Sequence, residues 1–168
     1  MLKLVRIGAI SALFLIVALS AGPLTAAPPD GYDFLPLTDA ARRAGAEGKP
    51  MLLYFGRYGC TTCRKMHAEV FTDAELRRRY NSDFVLAYVD TESAERITLA
   101  NGERITEMQF AARNRILGTP TFVFFSAEQK TLFSRAGFQD IALMQRYGEY
   151  VTGGHYRIMS LDDFLAKP

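Results

Sequence analysis

The stretch MLLYFGRYGCTTC, residues 51–63, decides the fold because it joins a buried-strand pattern to a pair of cysteines. Met51 to Phe55 is an uninterrupted apolar run, which is typical of a strand buried on both faces of a sheet. Gly56 to Gly59 predicts a loop, and helical spacing begins at Cys60. The sequence therefore places both cysteines at the start of a helix that directly follows a buried strand.

The segments around this stretch alternate between helical and strand patterns. Thr72 to Glu75 has the residues of a further helix N-terminus, with a capping side chain and an acid in the first turn. Helices are predicted over Leu37 to Gly45, Cys60 to Val70, Glu103 to Leu117 and Asp140 to Val151, and further strands over Phe84 to Val89, Thr121 to Phe125 and Thr131 to Arg135. This order predicts an α/β fold in which crossover helices join parallel strands and an antiparallel hairpin follows.

The N-terminus has the pattern of an export signal. Lys3 and Arg6 precede an uncharged apolar run from Ile7 to Leu19, which is shorter than the roughly 20 residues of a membrane-spanning helix. We expect residues 1–26 to be a cleaved signal peptide, residues 27–36 a linker, and residues 37–168 one domain. The expected location is the periplasm, an oxidising compartment in which paired cysteines form disulfides.

The charge balance argues against a nucleic-acid-binding protein. The chain has 20 Lys and Arg residues and 18 Asp and Glu residues, and of all these only Lys3 and Arg6 precede Asp30. The predicted domain is therefore nearly neutral, whereas a protein that contacts phosphates along a nucleic acid carries a basic surplus on one face. We expect a monomeric globular protein that binds no nucleic acid.

Cys60 and Cys63 form a C-x-x-C motif at a helix N-terminus, where the two thiols differ in chemistry. Unpaired backbone N–H groups and the helix macrodipole favour negative charge there, which lowers a thiol pKa from its ordinary value of about 8.5. Cys60 is therefore predicted to be the attacking thiolate, with a minor contribution from the positive charges of Arg57, Arg64 and Lys65. Cys63, one turn further on, is predicted to resolve the mixed disulfide that Cys60 forms with a partner.

Two other interpretations of the cysteines stay open. One is a purely structural disulfide, although so short a ring constrains the unfolded chain weakly. The other is a copper-binding or metallochaperone module, because Cys60, Cys63 and His67 are potential soft ligands, with Met66 beside them. Against a metal site, the chain has only two histidines, and the second, His155, lies far along the sequence. We therefore expect no metal.

Gly118-Thr119-Pro120 comes immediately before the strand pattern Thr121 to Phe125. An X-Pro bond adopts the cis form at modest cost. A proline that opens a strand also leaves the preceding residue's backbone available to a neighbour instead of pairing it within the sheet. The alternative is a simple helix-to-strand turn.

Together these stretches resemble the thioredoxin superfamily and, more narrowly, exported thioredoxin-related proteins of the SoxW type. The similar segments are 48–55, 60–63 with 66–70, 84–90, 117–121 and 137–138. The resemblance implies a thioredoxin-like three-layer α/β/α fold with a central mixed sheet. It also implies that a cis-proline loop faces the dithiol, which gives Thr119 and Pro120 the role of holding the substrate's extended backbone.

The resemblance further implies a thiol:disulfide oxidoreductase without a cofactor. The expected reaction is reduction of periplasmic protein disulfides by the Cys60/Cys63 dithiol, which a membrane dithiol donor recharges. The Thr61-Thr62 dipeptide differs from the Gly-Pro of thioredoxin, so the direction of electron flow rests on the resemblance alone.

Three positions depart from the family pattern. Gly59 stands where thioredoxins usually have a tryptophan before the first cysteine, and the chain contains no tryptophan. The buried Asp and Lys that carry protons in thioredoxins align with Tyr54 and Leu86. The sequence therefore leaves the proton carrier of Cys63 unassigned, with Glu69 as the candidate.

Overall fold

The computed structural model describes residues 27–167, so the predicted signal peptide lies outside the described residues. The elements are, in chain order, β1 (Phe34–Pro36), α1 (Leu37–Glu47), β2 (Met51–Gly56), α2 (Thr61–Glu69), α3 (Ala74–Asp83), β3 (Val85–Asp90), β4 (Arg96–Thr98), β5 (Arg104–Thr106), α4 (Glu107–Arg113), β6 (Thr121–Phe125), β7 (Thr131–Ala136), α5 (Ile141–Thr152), a 3₁₀ helix (His155–Arg157) and α6 (Leu161–Leu165). In this described range, no helix has the length and apolar character needed to cross a membrane.

One sheet contains five strands in the order β1-β3-β2-β6-β7. β3 is parallel to both β1 and β2, whereas β6 is antiparallel to its neighbours β2 and β7. Helices connect the parallel strands β1, β2 and β3 along the chain, and a short polar segment connects β6 to β7. The predicted α/β/α fold with a central mixed sheet is therefore confirmed.

Different helices cover the two faces of this sheet, which produces the three layers. Alternate residues of β2 point to opposite faces: Leu52 and Tyr54 belong to one buried cluster, and Leu53 and Phe55 belong to the other. The first cluster includes side chains of α2, α3 and α5, and the second includes side chains of α1 and α4. All six residues of β2 are buried, so packing on both faces fixes the point at which the following loop begins.

The edge strand β1 lies within the segment predicted as a linker. Phe34–Pro36 pairs in parallel with residues 86–88 of β3. Three residues are too few to show an alternating pattern, and Pro36 weakens the strand signal because proline is confined to strand ends and edges. The last three residues of the predicted linker therefore belong to the sheet.

The helix predicted over Glu103 to Leu117 is shorter than expected, and a hairpin precedes it. β4 and β5 form a separate two-stranded antiparallel ribbon. Thr106 then caps α4 through a capping box: its side chain accepts a hydrogen bond from the Gln109 backbone, and the Gln109 side chain accepts one from the Thr106 backbone. After α4 ends, Arg115 has a φ of 55°, which is incompatible with a continuing helix.

Candidate active site

The end of β2 and the start of α2 place the two cysteines. β2 ends at Gly56, a short loop follows, and Cys60 is the N-cap residue of α2. Gly59, the last residue of the loop, has a φ of 71°, a left-handed conformation that glycine adopts without the steric cost of a Cβ. The glycine that replaces the expected tryptophan thus permits the turn that delivers Cys60 to the helix.

Cys60 and Cys63 form a disulfide across the first turn of α2. The backbone N–H of Cys63 donates a hydrogen bond of 3.0 Å to Sγ of Cys60, so the sulfur takes the place of the side-chain oxygen in an ordinary N-cap. When the disulfide is reduced, this donor and the helix macrodipole stabilise a thiolate at Cys60 more than a thiol. The arrangement is the one that the sequence predicts for Cys60 as the attacking thiolate.

The Thr119-Pro120 loop lies against Cys60. The peptide bond between these two residues is cis, and the carbonyl oxygen of Thr119 is 3.3 Å from Sγ of Cys60. The Thr121 hydroxyl donates a hydrogen bond of 2.7 Å to the Gly118 carbonyl, which holds the loop to the start of β6. The structure thus brings together all four residues predicted from the sequence as site residues.

Both cysteine residues are largely buried, and exposed apolar side chains lie close by in the chain. Cys60 is 5% exposed and Cys63 is 6% exposed. Tyr58, in the loop before Cys60, is 52% exposed, and Leu117, just before the cis-proline loop, is 97% exposed. Both loops of the site therefore present an apolar side chain to solvent.

A cleft beside the disulfide includes side chains that were not predicted as site residues. Its lining contains both cysteines together with Tyr54, Arg57, Tyr58, Arg64, His67 and Tyr88. The hydroxyl of Tyr54, from β2, lies 3.2 Å from Nε2 of His67, from α2. The cleft therefore connects the disulfide with a hydrogen-bonded tyrosine–histidine pair.

Burial disfavours the charged form of both members of this pair. It lowers the pKa of His67 below its ordinary value, against a weaker opposing effect from the negative charge of Asp30. It also raises the pKa of Tyr54 well above the ordinary 10 of a tyrosine. The interior position that holds an acid in thioredoxins is thus occupied by a neutral hydroxyl.

The predicted positive charges lie around the site but are already engaged. Arg57 forms an ion pair with Glu92 at 3.1 Å, and Arg64 donates a hydrogen bond to the Thr61 hydroxyl at 3.2 Å. Lys65 lies 4.3 Å from the centre of the Phe138 ring. All three side chains are exposed, so solvent screens their effect on Cys60.

The fold and this site correspond to a known family. A family model described as a thioredoxin-like domain matches residues 37–152, which is more than half of the chain. The chain belongs to this thioredoxin-like family. No curated protein matches the sequence at a significant level.

Solved structures of thioredoxin-like proteins share the fold. A thioredoxin-fold protein from Helicobacter pylori is 24% identical, with a TM-score of 0.61 over 72% of this chain and 80% of that protein. A thioredoxin from Thermus thermophilus is 25% identical, with a TM-score of 0.59 over 72% and 87%. A putative disulphide isomerase from Bacteroides thetaiotaomicron is 22% identical, with a TM-score of 0.55 over 73% and 95%.

Glu69, the candidate proton carrier, does not reach the site of this thioredoxin-like protein. Its side chain is 55% exposed and lies 3.9 Å from Lys65. The reason is helical geometry: side chains four residues apart share a face, as Cys63 and His67 do, whereas Glu69 is six residues after Cys63. The prediction for Glu69 was therefore wrong.

The three residues considered for copper have other partners in the structure. Cys60 and Cys63 are bonded to each other, and Nε2 of His67 is engaged with Tyr54. Across residues 27–167, no group of three or more His, Cys, Asp and Glu side chains is placed to hold a metal ion. The geometry therefore favours thiol chemistry over metal binding at this motif.

Proposed function

We propose that this protein is a thiol:disulfide oxidoreductase that reduces disulfides of other proteins through Cys60 and Cys63. The observation that carries the proposal is the position of the Cys60 sulfur. It accepts the Cys63 backbone hydrogen bond at 3.0 Å and lies 3.3 Å from the Thr119 carbonyl oxygen. A sulfur that is stabilised as a thiolate next to a loop with exposed apolar neighbours is suited to attack a disulfide of another protein.

The reaction proceeds in two exchanges. The Cys60 thiolate of the reduced protein attacks one sulfur of the substrate disulfide, which forms a mixed disulfide and releases one substrate thiolate. The Cys63 thiolate then attacks Cys60 and releases the second substrate thiolate. Two electrons pass to the substrate, and the protein is left with the Cys60–Cys63 disulfide that the structure contains.

In this proposal, Thr119 and Pro120 bind the substrate backbone beside the reacting sulfur. The support is the position of their loop, in which the Thr119 carbonyl oxygen lies 3.3 Å from Cys60 Sγ. A substrate backbone that attaches to this loop is therefore close to the reacting sulfur. Tyr58 and Leu117 provide apolar contact to the partner because both are exposed.

We also propose that the protein is a monomer of the periplasm, is similar to the SoxW type, and is recharged by a membrane dithiol donor. The support is the apolar run from Ile7 to Leu19 behind two basic residues, together with the resemblance of the motif segments. Cell fractionation tests the location, and size-exclusion chromatography tests the oligomeric state. Recovery in the cytoplasmic fraction would contradict the periplasmic proposal.

The catalytic proposal is tested by reduction of insulin disulfides with a chemical dithiol as electron source. We expect Cys60→Ser to abolish turnover, and Cys63→Ser to stop turnover while accumulating mixed disulfides with the substrate. Thr62→Ser is the matched control, because it changes the same turn and keeps both thiols. Wild-type turnover in both cysteine variants would refute the proposal.

A further inference from the structure

The reduction reaction proposed above, on which this inference rests, requires Cys63 to lose a proton. Its sulfur cannot attack the mixed disulfide as a thiol, because the thiolate is the nucleophile. Cys63 is only 6% exposed, so bulk water is a poor route for the proton. Glu69 points elsewhere, and the position of the family's buried acid is occupied by Tyr54.

His67 is the titratable group that the fold places beside Cys63. The two residues are four apart on one face of α2 and line the same cleft. His67 is half-buried, and its Nε2 lies 3.2 Å from the Tyr54 hydroxyl. Its imidazole also packs edge-on against Phe71, with ring centres 5.8 Å apart. The ring is therefore held by Tyr54 and Phe71 at the cleft that both cysteines line.

Tyr54 itself is fixed by aromatic packing. Its ring stacks on Phe122 at 5.1 Å and contacts the edge of Tyr88 at 5.3 Å. None of its surface is exposed. The hydroxyl is thus presented to His67 from a rigid position at the centre of the sheet.

We propose that His67, held by Tyr54, accepts the proton of the Cys63 thiol during resolution of the mixed disulfide. The Cys63 S–H bond breaks, the proton moves to Nδ1 of His67, and the Cys63 thiolate forms a bond to Cys60 Sγ. The bond between Cys60 and the substrate sulfur breaks at the same time, and its electron pair leaves on the substrate thiolate. The imidazolium then gives its proton to that thiolate or to solvent.

The Tyr54 hydroxyl suits both protonation states of its partner. In the tautomer that the step requires, Nε2–H donates a hydrogen bond to the Tyr54 hydroxyl oxygen and Nδ1 is the free base, and the same hydrogen bond persists in the imidazolium. Tyr54 does not take the charge itself, because burial holds its pKa far above neutrality. It is a positioning residue, and the proton resides on His67.

The polar groups around His67 include both cations and an anion. Tyr88 from β3 and the cations Arg57 and Arg64 line the cleft that contains the cysteines. On the other side of the imidazole, Asp30 and Arg77 line a second surface depression with His67. No acid among these groups forms an ion pair with the ring, so burial, which disfavours the imidazolium, remains the larger effect on its pKa.

Stopped-flow oxidation of the reduced protein by dithiobis(nitrobenzoate) separates the two exchanges. The first coloured thiolate is released when Cys60 attacks the reagent, and the second is released when Cys63 resolves the mixed disulfide. We expect His67→Gln to slow the second release at neutral pH by about tenfold or more, and to leave the first within about twofold. At alkaline pH, where Cys63 ionises unaided, the difference should disappear.

Three further measurements separate proton transfer from a merely structural role. Tyr54→Phe should shift the pH midpoint of the second release without changing the first. Added imidazole should accelerate the second release in His67→Ala, and His155→Gln should leave both releases unchanged, since His155 lies against Phe164 outside the cleft.

The outcomes for the two proposals are distinct. A second release that is as fast in His67→Gln and Tyr54→Phe as in the wild type would overturn the role of the pair. Absence of the first release from the wild-type protein would instead refute the oxidoreductase proposal. Because an unfolded chain also exposes thiols that react with the reagent, the circular dichroism spectrum of each variant is the control that recognises misfolding.

Discussion

Replacing Gly59 with alanine tests whether the approach to Cys60 depends on a left-handed backbone. No heavy atom lies within 4 Å of the point where a Cβ on Gly59 would stand, so the substitution causes no collision. Its cost is purely conformational, because φ is 71°. We therefore expect the free energy of unfolding to fall by about 1–2 kcal/mol.

The assay is urea denaturation followed by circular dichroism, with substitutions that vary only the backbone preference. Gly59→Asn should cost less than Gly59→Ala, because asparagine tolerates the left-handed region better. Gly59→Trp, which introduces the residue usual in thioredoxins, should not be more stable than Gly59→Ala. Gly118→Ala is the matched control: no heavy atom lies within 4 Å of its Cβ position and its φ is not left-handed, so stability should stay or rise.

Two results would refute this reasoning. One is an equal urea midpoint for Gly59→Ala and Gly118→Ala. The other is a loss for asparagine as large as that for alanine. Either would mean that the turn before Cys60 does not require the conformation described here.

Three further predictions concern stability. Because burial lowers the pKa of His67, the unfolded chain binds more protons than the folded protein below about pH 6.5, and the free energy of unfolding should decrease as the pH decreases. Thermal denaturation across this range should show a weaker dependence on pH for His67→Gln than for the wild type. An unchanged dependence on pH would contradict the burial argument. Burial raises the pKa of Glu107, so Glu107→Gln should increase stability towards urea at neutral pH and lose this advantage in acid. A difference between the variant and the wild type that does not depend on pH would contradict this prediction. The buried Tyr80 hydroxyl donates a hydrogen bond of 2.7 Å to the Met144 carbonyl, so Tyr80→Phe should lower the free energy of unfolding by about 1 kcal/mol. An unchanged urea midpoint would mean that this hydrogen bond does not stabilise the fold.

The centre of the fold and the reactive motif were predictable because their signals are local. Met51 to Phe55 is long and apolar enough to identify a buried strand, and Cys60 and Cys63 follow it within one loop and one turn. The hairpin of β6 and β7 has two strand patterns separated by a short polar connection. Each of these features depends on residues that are close together in the chain.

The missed elements depend on contacts between distant segments. β1 is a strand only because β3 pairs with it across about fifty residues of sequence. The β4 and β5 ribbon consists of three-residue strands, and its second strand leads directly into α4. Three residues are too few to interrupt a helical pattern, so the helix predicted from Glu103 includes the residues of β5.

The Tyr54–His67 pair was missed as part of the site for a related reason. The two residues are 13 apart in sequence, and packing of α2 against the sheet brings them together. A signal was nevertheless present: tyrosine occupies the position of the family's buried acid, and a histidine follows Cys63 by one helical turn. Considered together, the tyrosine and the histidine indicate a replaced proton carrier, whereas the tyrosine alone suggests only a lost one.

The central position of β2 has a consequence for the motions of the protein. This strand is hydrogen-bonded on both sides and has no exposed residue, so its amides should exchange with deuterated solvent only when the whole molecule unfolds. The loop that leads to Cys60 is attached directly to the end of this strand. Repeated cycling between dithiol and disulfide should therefore leave the exchange rates of residues 52–55 unchanged, with any redox-dependent change confined to α2 and the loop at residues 117–120.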